Sequence, residues 1–478
     1  MLRLALWAQR RAHRVPAPLR RLAGRALARL GGRGGSPAGP SEDWTVPLVP
    51  GRGGGDLEQL KPSVAPPAPE PARTDPRPAD VRCVVAADVL DVGGMDEFVG
   101  FLGRGLPELG VATTVVYTSG RQPGTTGEGG RVVRALAGAG VPTVQLSQVD
   151  GPAWLEANRP DVISAHGAPD WLLAAAARLG VPWVETLHGM HAFLHRDAWA
   201  AEQVRSRQIS AQIAVSELVR RQYLARVPGF AAERLVTIPN GTDERRSAPV
   251  DRSLARAALG LRDEFLFVSL ARFGLQKNTF GLVTAFAEVA ERYPDSHLLV
   301  AGRADDALYF EHVRRHASTL AGADRIHLRG HCANAAALLS ASDAFVLDSF
   351  FEGWPLATME ALAAGIPVVT SDVGGAREQI GDDGRRGHVV DNPAGDPELL
   401  DWQVISDLRF RPQGNRAQLV DAMSAVVEGR DRWAAGRGAL RDEARAAFPA
   451  GVCLRRHASV LRAVASGQPL PLAVPAAP

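Results

Sequence analysis

Two series of short β-branched runs alternate with longer helical patterns, and this alternation restricts the fold of the chain more than any other feature. Such alternation predicts mainly parallel sheets with helices on both faces. The first series predicts seven strands, at residues 83–87, 112–117, 143–146, 162–165, 183–187, 212–215 and 235–238. The second predicts five, at residues 266–271, 298–301, 326–328, 344–347 and 367–370. The expected fold class is therefore α/β, with two doubly wound domains.

The turn signal Pro239-Asn240-Gly241, followed by a polar stretch, separates the two series. We expect a first domain over residues 81–243 and a second over 244–447, with the natural ligand site in the cleft between them. An insertion at 391–416 breaks the second series, and residues 416–465 read as consecutive helices. Residues 448–478 are expected to form a C-terminal helix and tail.

The first 80 residues have a different composition. Residues 1–34 contain nine arginines and no acid, and residues 31–80 hold 11 of the 34 prolines. We expect residues 1–80 to be a basic arm followed by a disordered Pro/Gly-rich linker. The arm suits an amphipathic helix on an anionic membrane surface, but a disordered basic tail or a start codon assigned too early fits equally well.

Overall charge and cysteine content exclude several classes of function. The formal net charge of +2 is too small to indicate a nucleic-acid partner. The three cysteines, Cys83, Cys332 and Cys453, lie far apart and suggest neither a zinc site nor a disulfide framework. No apolar run is long enough to predict a transmembrane helix. A reduced compartment, hence a cytoplasmic location, fits best.

The segment from Glu352 to Gly375 carries the most specific chemical signal. Glu352 and Glu360 lie eight positions apart, and between them Pro355 fits the first position of a helix that Gly365 terminates. The backbone amides of residues 353, 354 and 356 (Gly353, Trp354 and Leu356) would then point out of the helix start, where a phosphate or a sugar hydroxyl can bind. Glu360 lies among Leu, Ala and Met, where a ribose diol would satisfy its carboxylate.

A second signal comes from Arg272 and Lys277, which directly follow a predicted strand. Lys61 is the only other lysine in the chain, against 52 arginines. A guanidinium fork and an ammonium group at the end of a strand suit a diphosphate.

Weaker signals lie in the first domain. Gly93-Gly94 follows a strand and opens a helix, but it does not form a complete dinucleotide fingerprint. His166 and His188 each end a predicted strand. We interpret His166 as structural, whereas His188 could hydrogen-bond a sugar hydroxyl or carry a proton.

Together these motifs resemble the retaining nucleotide-sugar glycosyltransferases of family 4, which have the GT-B fold of two Rossmann-like domains. The resemblance covers residues 82–465 and is most specific at Glu352–Gly375. It implies a catalytic site of Glu352, His188, Arg272 and Lys277. It implies donor contacts from Arg272, Lys277, Gly302, His331, Cys332, Gly353, Trp354, Pro355, Leu356 and Glu360. Gly93, Gly94 and Asn240 would lie on the acceptor side.

The same resemblance implies a reaction. A hexose-type sugar would pass from a nucleotide diphosphate sugar to a hydroxyl acceptor during glycan, polysaccharide or glycolipid synthesis. The anomeric configuration would be retained, and neither a metal nor a cofactor would be needed. The leaving phosphate would help to deprotonate the acceptor. We expect a bacterial, cytoplasmic enzyme that residues 1–34 could bring to the inner face of the membrane.

Two departures from the family pattern stand out. Asn278 follows Lys277 where the family often has glycine, and residues 391–416 are inserted before a helix. Two other functions stay open: a sugar-nucleotide epimerase of the same fold, and a non-catalytic nucleotide-sugar binding protein. A pyridoxal-phosphate-dependent phosphorylase is disfavoured, because only Lys61 and Lys277 could hold that cofactor.

Overall fold

A computed structural model describes residues 39–63, 80–90, 93–118, 130–194, 196–243, 246 and 248–471. The chain divides into two compact units. The first unit contains the chain from residue 80 to 246, residues 352–359 and the chain from residue 442 onward. The second unit contains residues 39–63, 248–351 and 360–441. The arm predicted at residues 1–34 lies outside the described residues.

Each unit is built on one parallel sheet. The first sheet comprises Val81–Ala87 (β1), Val111–Thr118 (β2), Thr143–Leu146 (β3), Val162–His166 (β4), Trp183–Leu187 (β5), Ala211–Ala214 (β6) and Leu235–Thr237 (β7). The second comprises Phe265–Leu270 (β8), Ser296–Ala301 (β9), Ile326–Arg329 (β10), Ala344–Leu347 (β11), Val368–Ser371 (β12) and Gly387–Val390 (β13). Every predicted strand is present, and β13 is a sixth strand of the second sheet.

Helices connect the strands and follow the last one. They are Gly94–Gly105 (α1), Arg131–Gly138 (α2), Gly151–Asn158 (α3), Asp170–Leu179 (α4), Arg196–Arg205 (α5), Glu217–Arg226 (α6), Arg252–Ala258 (α7), Thr279–Arg292 (α8), Ala307–Ala317 (α9), Ala335–Ala341 (α10), Leu356–Ala363 (α11), Ala376–Ile380 (α12), Trp402–Leu408 (α13), Arg416–Glu428 (α14), Arg430–Ala447 (α15) and Ala450–Ala465 (α16). In the described part of the chain, no helix is both long and apolar enough to cross a membrane.

The strand order determines where each sheet can bind a ligand. The first sheet has the order β3-β2-β1-β4-β5-β6-β7, and the second has the order β10-β9-β8-β11-β12-β13. In both, the order reverses once, between β1 and β4 and between β8 and β11. Open α/β sheets bind ligands at such a switch point, outside the carboxyl ends of the strands. We call these positions the first and the second switch point.

Central strands are buried on both faces, as parallel sheets require. All four residues of β11 and all six of β9 are buried, and both strands consist mainly of apolar residues. Pairing in register, such as Val346 with Val369, then aligns the ends of neighbouring strands. The loops that follow these ends are therefore brought to one edge of the sheet.

The expected disordered linker is wrong for residues 39–63, which we call the N-terminal strap. This segment packs on the rest of the second unit, and its residues Trp44 and Leu57 are buried. The Trp44 indole donates to the His331 carbonyl at 3.0 Å, and Ser41 pairs with Arg329 at the end of β10. Burial of a few large apolar side chains therefore orders a segment whose composition is typical of linkers.

Residues 448–478 contain the predicted C-terminal helix, which is α16. Helix α16 packs on the first unit, against β1, β4 and β5. Its residues Cys453 and Leu461 are buried in the same core as Val85 and Val184. The chain thus returns to its first unit after completing its second.

Candidate active site

Two cations lie beyond the carboxyl end of β8, in the second unit. β8 leads into Arg272 and then into a single 3₁₀ turn, Leu275–Lys277. The Lys277 N–H donates to the Gly274 carbonyl at 3.1 Å and closes this turn. Arg272 forms an ion pair with Asp305, and half of the Arg272 side chain stays exposed. Arg272 is therefore at an edge where an anion can reach it, and Lys277 is partly exposed in the same loop.

Hydrogen bonds join this turn to the segment after β11. The Gln276 carbonyl accepts from the Phe350 N–H at 2.9 Å, and the Gln276 Nε2 donates to the Phe351 carbonyl at 2.9 Å. Because β8 and β11 flank the second switch point, the two joined segments lie where this topology binds ligands. The phosphate-binding residues predicted from the sequence thus occur at a place that the fold independently favours.

The acidic motif begins directly after these residues. Helix α11 begins at Leu356, so Pro355 is the residue before the helix rather than its first residue, a shift of one position from the prediction. At the other end Gly365 adopts a φ of +75°, and the Gly365 and Ile366 N–H groups donate to the carbonyls of Leu362 and Ala361. This pattern is the Schellman motif, which confirms the predicted helix end.

The two glutamates belong to different units. Residues 352–359 group with the first unit, whereas Glu360 groups with the second. Glu352 is buried, at 7% exposure, and Glu360 is partly exposed. Trp354 is also buried and packs edge-on against Phe448, so its indole has a structural role in addition to the predicted contribution of its backbone amide.

Within the first unit, the motif lies directly against the loop that follows β5. The Met190 N–H donates to the Glu352 carbonyl at 3.1 Å, and Gly189 forms a β-bridge with Gly353. A Cβ atom at position 353 would lie 2.0 Å from the His188 carbonyl oxygen. Only glycine permits this approach, which brings the backbone after Glu352 against that of His188; a shared catalytic role of the two residues stays a prediction.

Gly94 approaches the same region from the first switch point. A Cβ atom at Gly94 would lie 3.8 Å from the Leu356 side chain, an ordinary contact distance. Gly93 precedes helix α1 in an extended conformation. The glycine pair therefore lies near the start of α11, within the first unit.

His188 is one of two adjacent histidines at the ends of β4 and β5; His166 is fully buried, and His188 is partly buried. Its Nε2 lies 2.7 Å from Nδ1 of His166, whose Nε2 lies 2.9 Å from the Ser164 hydroxyl. Burial lowers the pKa of His188 to about 4, and burial together with the neighbouring His188 lowers the pKa of His166 well below its usual value. Both imidazoles are thus neutral near pH 7, and His166 orients His188 through their hydrogen bond.

Three predicted donor residues have clear structural roles. A Cβ atom at Gly302 would lie 2.1 Å from the Ala271 carbonyl, so the glycine is required where β8 and β9 end side by side. His331 is exposed and its carbonyl accepts from Trp44 of the strap. Cys332 is buried, which raises the pKa of its thiol to about 12. Contact with a nucleotide stays a prediction for all three.

The predicted acceptor-side residue Asn240 follows β7 in the first unit. It is 4% exposed, and its Oδ1 accepts no hydrogen bond within the described part of the chain. The next residue is held against α16, since a Cβ atom at Gly241 would lie 2.7 Å from the Ala450 Cα. Asn240 is therefore rigidly placed, and its role with an acceptor stays a prediction.

Three residues near the second switch point were not predicted from the sequence: Asp305, Asp348 and Asn415. Asp305 pairs with Arg272, and the buried carboxylate of Asp348 accepts amide hydrogen bonds from Asn278 and from Asn415. The glycine-to-asparagine departure at 278 was the only signal in the sequence. Asp348 ends a predicted strand, but its partners lie 70 and 67 residues away, a separation that no local pattern reveals.

The chain matches two family models. Residues 92–246 match the description Glycosyltransferase Family 4, and residues 251–418 match Glycosyl transferases group 1. A D-inositol 3-phosphate glycosyltransferase of Segniliparus rotundus is 30% identical over 321 residues, covering 62% of this chain and 68% of the relative. An enzyme of the same name from Frankia alni is 28% identical, covering 76% of this chain and 97% of the relative.

Solved structures share the architecture. Anabaena Alr3699/HepE in complex with UDP and glucose superimposes with a TM-score of 0.65 at 18% identity, covering 80% of this chain and all of that one. Sucrose-phosphate synthase from Thermosynechococcus elongatus gives a TM-score of 0.60 at 20% identity, with coverages of 81% and 99%. The chain therefore belongs to the nucleotide-sugar glycosyltransferases of the GT-B fold.

Proposed function

We propose that this protein is a retaining glycosyltransferase that moves a hexose-type sugar from a nucleoside diphosphate sugar to a hydroxyl acceptor. The observation that carries the proposal is the pair of cations, Arg272 and Lys277, at the second switch point. The turn that holds them is hydrogen-bonded to Phe350 and Phe351, which lead directly into the acidic motif.

The two cations would act on the leaving group. Cleavage of the bond between the anomeric carbon and the diphosphate oxygen leaves negative charge on the diphosphate. A guanidinium fork and an ammonium group fixed before the reaction stabilise that charge without reorganisation. The backbone amides at the start of α11 would bind phosphate or sugar oxygens, Glu352 the sugar hydroxyls, and Glu360 the ribose.

Proton transfer would then involve the substrate rather than a protein base. The acceptor oxygen bonds to the anomeric carbon on the face from which the diphosphate leaves, and a phosphate oxygen takes the hydroxyl proton. His188, neutral at physiological pH because its pKa is lowered to about 4, would hydrogen-bond the sugar. The reaction so described requires no metal and no cofactor, and activity in EDTA tests this.

The acceptor is proposed as a hydroxyl group of a glycan, polysaccharide or glycolipid precursor. Two relatives are named D-inositol 3-phosphate glycosyltransferase, so this compound is the first soluble acceptor to test. A cytoplasmic location with peripheral membrane contact through residues 1–34 is part of the proposal. Co-sedimentation with anionic vesicles, with and without these residues, tests the membrane contact.

The donor is tested by thermal unfolding in the presence of UDP-, GDP- and ADP-sugars, because a ligand that binds the native state raises the unfolding temperature. We expect one nucleotide class to stabilise the protein and to be consumed when an acceptor is added. Stabilisation without turnover would favour a binding protein, and a change of sugar configuration in the free nucleotide sugar would favour an epimerase.

The phosphate assignment has its own test. Lys277→Ala should raise the Kd for the nucleoside diphosphate by about 10- to 100-fold, the usual value of a charged hydrogen bond. Lys61→Ala is the matched control, because Lys61 is exposed in the N-terminal strap and is the only other lysine. Calorimetry that gave equal Kd values for Lys277→Ala and the wild-type protein would remove Lys277 from the site.

A further inference from the structure

The residue after Lys277 has an unusual backbone. Asn278 adopts a φ of +46° and a ψ of +37°, and it is the residue that caps α8. Left-handed conformations are unfavourable for residues with a side chain, although asparagine tolerates them better than most. Contacts elsewhere in the fold must therefore hold Asn278 in this conformation. The Asn278 backbone in turn sets the direction in which the chain continues from Lys277.

The side chain of Asn278 is buried in a network of amide and carboxylate groups. Its Nδ2 donates to Asp348 Oδ2 at 2.7 Å and to Gln413 Oε1 at 2.7 Å. Its Oδ1 accepts from Gln413 Nε2 at 2.6 Å, and from the Gly281 N–H at 3.4 Å. Asn278 and Gln413 thus form a reciprocal amide pair, in which each side chain both donates and accepts.

Asn415 completes the network from the other side of Asp348. Its Nδ2 donates to Asp348 Oδ1 at 2.8 Å and to the Asp391 carbonyl at 3.0 Å. Gln413, Asn415 and Asp391 all belong to the insertion at residues 391–416. Both oxygens of the Asp348 carboxylate are therefore bonded to side-chain amides, one next to the predicted phosphate ligand and one in the insertion.

The insertion is anchored independently of this network. The Phe410 ring stacks on His312 with ring centroids 3.8 Å apart, and it contacts Phe280 edge-on at 5.2 Å. Phe410 itself has a φ of +64°, so the chain turns sharply just before Gln413. These contacts hold the insertion on α8 and α9, which gives Gln413 a fixed base from which to bond Asn278.

The glycine at position 281 shows how closely the amide pair is packed. A Cβ atom there would lie 2.1 Å from Gln413 Oε1 and 2.6 Å from Asn278 Nδ2. Gly281 is the third residue of α8, and alanine has the higher helix propensity. The fold therefore gives up helix propensity in α8 to make room for the pair.

We propose that Gln413 and Asn415 of the insertion are positioning residues for the diphosphate-binding turn, and that they act through Asn278 and Asp348 on Lys277. The two departures from the family pattern, Asn278 and the insertion, then act together through one hydrogen-bond network. This inference rests on the proposed function, because it takes Lys277 as a ligand of the donor diphosphate.

The decisive experiment is a double-mutant cycle read by calorimetry, with the nucleoside diphosphate (UDP, GDP or ADP) that stabilises the wild-type protein. Gln413→Ala should raise the Kd about ten-fold in the wild-type background and have little effect in the Lys277→Ala background, because it acts through Lys277. Gln418→Ala is the matched control. This exposed glutamine of the same region bonds Asp391 and leaves Asn278 untouched, so its Kd should stay within about two-fold.

Gly281→Ala provides a second route to the same result, because its methyl group separates the amide pair without removing a polar side chain. Gly438→Ala, in open space on α15, controls for the effect of alanine in a helix. Gly281→Ala should raise the Kd as Gln413→Ala does, which keeps the test valid if one variant folds poorly.

Two results would overturn the inference: an unchanged Kd in both Gln413→Ala and Gly281→Ala, or the same rise for Gln413→Ala with and without Lys277. If Lys277→Ala weakens binding while those variants do not, only this inference fails. If Lys277→Ala itself has no effect, the proposed function fails and this inference falls with it.

Discussion

The side chains at the predicted substrate sites differ in charge between the two units: two histidines in the first, and two cations, Arg272 and Lys277, in the second. His166 ends β4 and His188 follows β5; both imidazoles have lowered pKa values, and they hydrogen-bond each other. Arg272 and Lys277 follow β8 as cations. Equal topology thus supports different chemistry: the first unit suits hydrogen bonding to an uncharged sugar or hydroxyl, and the second suits a diphosphate.

The two regions also differ in how they are held. In the first unit, a backbone bridge between Gly189 and Gly353 brings the site together. In the second, side chains from distant segments support the turn: Asp348 and Gln413 bond Asn278, the residue after the turn. We therefore expect the first region to be sensitive to added side-chain volume, and the second to the loss of side chains.

The largest expected effect is on the stability of the second unit. Trp44→Ala removes a buried indole and its hydrogen bond to the His331 carbonyl, and it should lower the free energy of unfolding by about 3–5 kcal/mol. Val46→Ala, at an exposed strap position, should stay within about 0.5 kcal/mol. Denaturant unfolding measures both changes. Equal stability of the two variants would show that the strap is not part of the folded unit.

The second-largest expected effect is on activity, and it concerns the backbone bridge between Gly189 and Gly353 in the first unit. Gly353→Ala places a methyl group against the His188 carbonyl, which separates Glu352 from His188. A displacement of about 1 Å at a catalytic site commonly costs about 100-fold in rate, so kcat/KM should fall by about that factor. Gly229→Ala, in open space within the same unit, should leave kcat/KM unchanged. Normal activity in Gly353→Ala would exclude this close approach from the mechanism.

A smaller effect concerns the pH dependence of the second unit. Burial raises the pKa of Asp348 to about 7, so the folded state binds a proton at this group more tightly than the unfolded state does. Its contribution to stability is full below about pH 4 and is lost as the pH rises through about 7. Between pH 5 and pH 7.5 this group should cost the wild-type protein about 2–3 kcal/mol of unfolding free energy, and Asp348→Asn should abolish that loss.

Unfolding curves of both proteins at these two pH values measure the difference. A stability gain on acidification that was the same in Asp348→Asn and in the wild-type protein would assign the gain to other groups.

The smallest expected effect is in the first unit, where acidification removes stability rather than adding it. His457 is fully buried beside Phe98, neither ring nitrogen has a hydrogen-bond partner in the described part of the chain, and burial lowers its pKa to about 3. Its stabilising contribution is lost as the pH falls below 6.5, because only the unfolded state then gains the proton. The free energy of unfolding of His457→Phe, measured relative to that of the wild-type protein, should therefore be about 2 kcal/mol higher at pH 5 than at pH 7. No relative gain on acidification would contradict the neutral, buried state of His457.

The sequence predicted the two sheets well, because β-branched runs in parallel strands are buried on both faces and are therefore apolar throughout. It also predicted the end of α11 at Gly365, since a left-handed residue after a helix favours glycine. The strap was missed because three buried residues, Trp44, Leu48 and Leu57, have no regular spacing among the prolines and glycines. The Asn278 network was missed because its members come from three distant segments.

The most direct test of the proposed reaction is the configuration of its product. With an α-linked nucleotide sugar as donor, proton NMR of the transferred sugar reports the anomeric configuration through the coupling of its anomeric proton. Same-face transfer, with the leaving diphosphate held by Arg272 and Lys277, predicts an α-linked first product. A β-linked first product would require attack from the opposite face and would contradict the proposed mechanism.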